Sequence, residues 1–176
     1  MSQTTRSAGE RVKGFAWLLI LSFILWLGLS SKLELPELIT GGVVCLIVSF
    51  FAVHIYSKLG LPPLSIKRIL SFLVYIIALF WEIIKANFDV AYRVIHPKMP
   101  IKPGIVVIKT HLKSDIAKMI LANSITLTPG TLTLDIIGDE LLIHWINVKT
   151  EDIHEATSMI GWRFEKYLQV IFEQEN

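Results

Sequence analysis

Uncharged, mostly apolar residues fill positions 14–31 and, apart from His54, positions 38–57. Each run is close to the roughly 20 residues that a helix needs to cross a hydrocarbon core. They predict a membrane-spanning helical hairpin within residues 1–60, with 32–37 as its turn and a loose polar tail over the first dozen residues. The first run follows Arg6, Arg11 and Lys13 in the manner of a signal peptide, yet no small-residue cleavage site comes after it and a second apolar run starts almost at once, so a retained span is expected. Pro62-Pro63 then breaks the chain, Ser65 is placed to cap a helix and Pro97 to end it. One long helix over about residues 66–95 follows, inside a segment 61–96. Within it Arg68, Ser71, Tyr75, Ala78, Glu82, Lys85, Asp89 and Arg93 recur at spacings of three and four, a thin polar seam on a helix otherwise covered by Leu73, Ile77, Phe80, Trp81, Ile84 and Phe88. Its charge-free stretch, 69–81, is short for a span. A helix at or dipping into the cytoplasmic interface and packed on the hairpin is therefore expected; the alternative is a tilted third span, which would move everything after it outside.

Beyond Pro97 the periodicity changes. Residues 104–110 are rich in Ile and Val, and a helical stretch capped by Ser114 runs to about Thr128. Strands over 131–137, with Leu132, Leu134 and Ile136 on one face, and over 141–148 are joined through Gly138-Asp139 as a hairpin. A single helix over 152–172 then places Ala156, Met159, Ile160, Phe164, Tyr167, Leu168 and Ile171 on one side. The order β-α-β-β-α predicts a small cytoplasmic α+β domain over 97–176, similar to a ferredoxin-like split unit lacking its last strand, with an incomplete edge open to a partner.

Composition sharpens this division. The chain is 53% apolar with a mean hydropathy of +0.58, above the roughly 45–50% apolar share of soluble domains. Residues 1–100 hold 10 of the 17 Lys+Arg and 5 of the 15 Asp+Glu, a net +5, and the remainder is −3. A basic membrane portion suits an anionic cytoplasmic leaflet, and the acidic second half argues against nucleic acid as a partner. Three basic residues precede the first run, Lys58, Lys67 and Arg68 follow the second, and Lys32 alone lies between, so both ends of the hairpin are expected in the cytoplasm. The single Cys45 lies in an apolar run, so no intrachain disulfide is possible.

The densest string is 121–135, which carries Asn123, Ser124, Thr126, Thr128, Pro129, Gly130, Thr131 and Asp135. Physically it is a helix end stopped at Pro129-Gly130 and followed by a strand. Together with residues 97–104 and His144-Trp145 it resembles the signature of the E subunits of multisubunit Mrp-type sodium/proton antiporters, over roughly residues 97–150. The resemblance implies a non-catalytic subunit of a monovalent cation/proton antiporter in a bacterial cell membrane, supporting assembly and stability. It implies the other antiporter subunits and the lipid bilayer as partners, no cofactor, and no ion-binding residue to carry over.

Candidate chemistry read from the residues themselves is sparse. Arg68, Glu82, Lys85, Asp89 and Arg93 form a candidate subunit-interface or membrane polar seam; ionisable groups at membrane depth can mark proton paths, but i,i+3 and i,i+4 pairing that neutralises a seam is the expectation favoured here. His54, His96, His111, His144 and His154 lack metal-site spacing. The threonines of 124–133 lack the glycine-rich loop and Lys-Ser/Thr pair of a phosphate site and are expected to cap the helix end. Gly41-Gly42 is a weak close-approach signal. No catalytic triad or carboxylate pair can be placed, so no enzymatic activity is expected. The competing function is a membrane-anchored module that recruits a soluble partner, with a membrane-bound enzyme a weaker third.

Overall fold

The computed structural model describes residues 8–30, 34–58, 61–62 and 65–173. The polar tail at 1–7, the middle of the expected hairpin turn and Pro63 lie outside the described residues. The chain divides into two compact units, one running to Ser65 and the other beginning at Ile66.

The first unit holds α1 (Ala8–Leu29) and α2 (Leu35–Lys58). The helices meet through small residues: a Cβ at Gly41 would collide with the Trp26 indole, and Cys45 and Ser49, one and two turns on, are buried beside it. Gly42 faces open space, so only Gly41 of the pair makes a close approach. Ile20, Leu25, Val43, Ile47, Phe50 and Phe51 point outward and stay exposed. Such a surface would aggregate in water and is at ease in hydrocarbon.

The second unit combines α3 (Ile66–Ile95), β1 (Gly104–Lys109), α4 (Asp115–Leu127), β2 (Thr131–Ile137), β3 (Glu140–Trp145), α5 (Ile153–Ile160) and α6 (Trp162–Phe172). The three strands form one sheet in the order β1-β3-β2, antiparallel throughout, so β1 and β2 run parallel on either side of β3. Val106, Ile108, Leu141 and Ile143 face helices α4, α5 and α6, whose Leu121, Ile125, Ala156, Phe164 and Leu168 complete the core. Helix α3 packs on α6 and joins that core through Tyr75 and Leu79, with Ile76 and Ile83 against it. It is thus built into the α+β unit rather than standing apart from it. Among the described residues three helices, α1, α2 and α3, are long and apolar enough to cross a membrane.

Several elements differ from the periodicity reading. The helix expected over 152–172 is two: Gly161 ends α5 and starts α6, where the chain turns close to the sheet and a Cβ would come within 3.2 Å of Ile108 Cδ1. Strand β3 stops at Trp145, because Lys102 captures the chain beyond it, accepting from Val148 N and donating to Ile146 O. In β2 a bulge between Thr133 and Asp135 shifts the register, so Ile136 lies opposite buried Leu141 while Leu132 lies opposite His144 on the outer face. The three residues therefore do not share a face, and Thr131 and Thr133 are the ones turned toward α4. Ser114 occupies the N-cap position of α4 but makes no side-chain cap bond. The edge expected to be open is partly closed, since Lys109 N of β1 donates to Thr157 Oγ1 of α5 at 3.0 Å.

Candidate functional site

Helix α3 presents its polar seam to its own unit. Arg93 grips both carboxylate oxygens of Asp89 at 2.8 and 2.9 Å and donates from Nη1 to Pro100 O at 2.7 Å, so it clamps the helix end to the following loop. Glu82 binds Lys85 one turn on, and its second oxygen accepts from Arg163 Nη1 of α6 at 2.8 Å. Arg68 donates to Glu173 O at the end of α6. Tyr75, buried, hydrogen-bonds the Ser124 hydroxyl; that hydroxyl donates to Ile120 O at 2.6 Å, which leaves Tyr75 as the donor. From Arg68 to Arg93 the seam therefore stitches α3 to α4, α6 and the 96–103 loop. Arg163 carries no signal in the sequence, because its pairing with Glu82 spans 81 positions and no local period reports it.

The signature string folds into a single hydrogen-bonded knot. Thr128 and Thr131 both donate to Ile125 O at 2.7 Å, capping the carbonyl end of α4. Thr133 donates to Ala122 O at 3.1 Å, and Thr126 Oγ1 accepts from Thr133 N at 3.1 Å, so strand and helix exchange bonds. Asp135 Oδ1 accepts from Ile136 N at the bulge. Gly130 has φ +93, and a Cβ there would come within 2.9 Å of Ile146 Cγ2 and 3.5 Å of Val90 Cγ2 on α3. Only glycine combines that dihedral with that space. Asn123 is exposed on α4. None of these groups is arranged as a nucleophile with its base or as a phosphate cradle.

Two polar clusters outside both strings emerge only in three dimensions. Lys118, nearly buried on α4, donates to Gly138 O and to Asp139 Oδ1, each at 2.7 Å, and so ties down the β2–β3 hairpin; this bond holds the Asp139 carboxyl below its usual range. Glu165 is fully buried on α6. Its Oε1 accepts from His111 N at 2.7 Å and lies 3.2 and 3.3 Å from His111 Nδ1 and Gln169 Nε2, while Oε2 has no partner among the described residues. Of the other histidines, His144 stands on the outer face of the sheet between Ile105 and Leu132, His96 Nδ1 accepts from Lys98 N, and His54 and His154 are exposed. Among the described residues no three His, Cys, Asp or Glu side chains gather as a metal site.

A family model described as Na+/H+ ion antiporter subunit (MNHE) matches residues 19–171. The chain is 35% identical over 160 residues to the E1 subunit of the Na+/H+ antiporter of Staphylococcus haemolyticus, covering 88% of this chain and 97% of that protein. It is 30% identical over 146 residues to the corresponding E subunit of the Na+/H+ antiporter of Bacillus subtilis, covering 83% and 90%. Among solved structures it is similar to a chain of the membrane-bound sulfane sulfur reductase, an archaeal respiratory membrane complex, with a TM-score of 0.76 and 48% identity over 91% of this chain and 99% of that one.

Proposed function

The chain belongs to the Na+/H+ ion antiporter subunit family, among its E subunits, and from that premise we propose that it assembles and stabilises a multisubunit cation/proton antiporter without itself carrying the ions. The observation that carries this reading is the use made of its polar groups. The ionisable side chains of α3 are engaged by α6, by the following loop or by one another, and the threonine string closes a helix–strand joint. A chain whose polar groups are consumed in holding its own fold suits a scaffold better than an ion path.

The reading includes a topology. Hairpin α1–α2 spans the membrane, and α3 lies along the cytoplasmic interface with the α+β unit on the cytoplasmic side. The basic residues on both flanks of the hairpin support the orientation. For α3 the support is packing. It shares its inner side with the α+β core, from Tyr75 through Ile83 to Val90. A helix flanked by a polar domain along most of its length leaves one side for lipid, which suits the interface and not a crossing.

A second reading is favoured by one observation: identity to the chain of the respiratory membrane complex is 48%, against 30–35% for the staphylococcal and Bacillus antiporter subunits. Under it the same scaffold serves a respiratory membrane complex of that kind. Purification of the tagged chain in mild detergent separates the readings. Co-purifying multi-span transport proteins alone support the antiporter; redox-cofactor subunits in the same particle support the respiratory assembly. A lone monomer would sink both in favour of a membrane-anchored binding module.

A further inference from the structure

The α+β unit carries two exposed apolar faces of opposite character. One is the outer side of α3, where Phe72, Leu73, Ile77, Phe80, Trp81 and Phe88 lie uncovered, with Lys67 and Lys98 at the two ends. The other is the face of the sheet turned away from the helices. Across it run Ile105, His144 and Leu132 in one row and Val107, Leu142 and Asp135 in the next, with Lys109, Glu140 and Ile137 beyond. Ile105 is 59% exposed, Leu134 at the bulge 47% and Ile137 66%. An antiparallel sheet that leaves one face to water normally alternates apolar-in with polar-out, and here the outward positions are mainly branched aliphatics.

Charge separates the two faces. The helix face is bracketed by basic residues, which suits anionic headgroups. The sheet face has an acidic rim at its β2–β3 end, made by Asp135, Asp139 and Glu140. Lys109 and Lys118 pair with Glu140 and Asp139, which leaves the rim one negative charge in excess, on Asp135. That rim offers anionic headgroups no attraction, unlike the basic ends of α3, and a protein surface with an apolar centre and a Lys or Arg on its margin would match it.

We propose that the outer sheet face, centred on Ile105, Leu132, Leu134, Leu142 and Ile137, is a docking surface for the soluble part of a neighbouring subunit, whose matching patch is apolar with a basic margin. This rests on the reading of the chain as a complex subunit. With the outer side of α3 given to lipid, the sheet face is on the far side of the helical layer and free for protein. The unit then acts as a spacer, membrane on one side and a partner on the other.

The test uses the full chain in its membrane, purified as part of the whole particle, with a photo-crosslinking residue at Leu134, at Ile137 or at Phe80. Leu134 and Ile137 should form adducts with another subunit of the particle, identified by mass, and Phe80 with lipid. An intact particle in which Leu134 and Ile137 yield only free chain or lipid adducts would overturn the proposal. A chain that purifies alone would instead defeat the subunit reading itself, so the two failures are distinguishable. As a second arm, Glu140→Lys should make the chain leave the particle at lower salt than the native chain does. Unchanged salt resistance would remove the acidic rim from the interface.

Discussion

At the residue scale, Gly130 and Gly138 separate two uses of a left-handed glycine. Both have positive φ, at +93 and +62, but a Cβ at Gly138 meets open space while one at Gly130 meets Ile146 and approaches Val90. Gly138→Ala should therefore cost about 1–2 kcal/mol, the ordinary left-handed penalty. Gly130→Ala should cost more, by on the order of 1 kcal/mol or above, because strain and overpacking add. Thermal unfolding of the two variants in the same detergent checks the order, and equal losses would refute the packing account. The stop at Pro129-Gly130 was legible in sequence because proline and glycine act locally. The threonines were legible only as caps, since their actual acceptors depend on how strand and helix meet. Glu165 with His111, and Arg163 with Glu82, were invisible, as the partners lie 54 and 81 positions apart. Asp139 gives a pH dependence. Its carboxyl is held low by Lys118, so the stabilisation is fully present above the ordinary carboxylate range and is lost as pH falls through the depressed value. The stability gap between the native chain and Asp139→Asn should persist near neutrality and close only once the pH has fallen below the ordinary carboxylate range. A gap that holds constant across that range would show that the bond does not depend on charge.

At the element scale, α3 is held by pairs distributed along its length rather than by any one of them. Glu82→Gln keeps one acceptor oxygen, enough for Arg163 Nη1 or for Lys85 but not for both, and it loses the charge, while the other pairs along the helix stay in place. Cation/proton exchange in vesicles matched for complex content should therefore stay close to native. Loss of exchange at normal subunit levels would make Glu82 a participant in transport. Removing the other partner is harsher: Arg163→Ala leaves a half-buried carboxylate with Lys85 alone and loosens α3 from α6. It should lower the unfolding temperature more than Glu82→Gln does, and the reverse order would move the weight of the seam elsewhere. Apolar periodicity located each of these elements to within a few residues, because both the 3.6 and the 2.0 periods are strong here. It missed the break at Gly161 since the apolar stripe of Ile160, Phe164 and Leu168 continues through it, and the glycine alone does not announce a turn. It missed the bulge in β2 for a related reason. Alternating Thr and Leu reads as an unbroken strand, and the extra residue is defined only by the pairing with β3.

For the whole molecule, the open question in the sequence was whether segment 66–95 crosses the bilayer, since its hydropathy qualifies it and its short charge-free core does not. The packing of Tyr75, Leu79 and Ile83 into the α+β core supports the interfacial placement proposed above. One side of α3 packs on its own unit around Tyr75, Leu79 and Ile83, which a helix crossing hydrocarbon could keep only if part of the charged α4–α6 layer entered the bilayer too. The two arrangements differ in how depth varies along the helix. A crossing helix carries successive outer-side positions from one headgroup region through the midplane to the other. A helix lying in the interface keeps Leu73, Ile77, Phe80, Ile84 and Phe88 at one shallow depth, with the polar seam above them. Nitroxide labels placed singly at these five positions in the full chain, after replacement of Cys45, should give nearly constant accessibility to a membrane-soluble oxygen relaxer, without a maximum near Phe80. A reporter fused after Asn176 should accordingly be active only in a form that folds in the cytoplasm. A depth profile that peaks at Phe80, with a reporter active only outside, would mean that α3 is a third span, and the unit it carries would then face away from the cytoplasm.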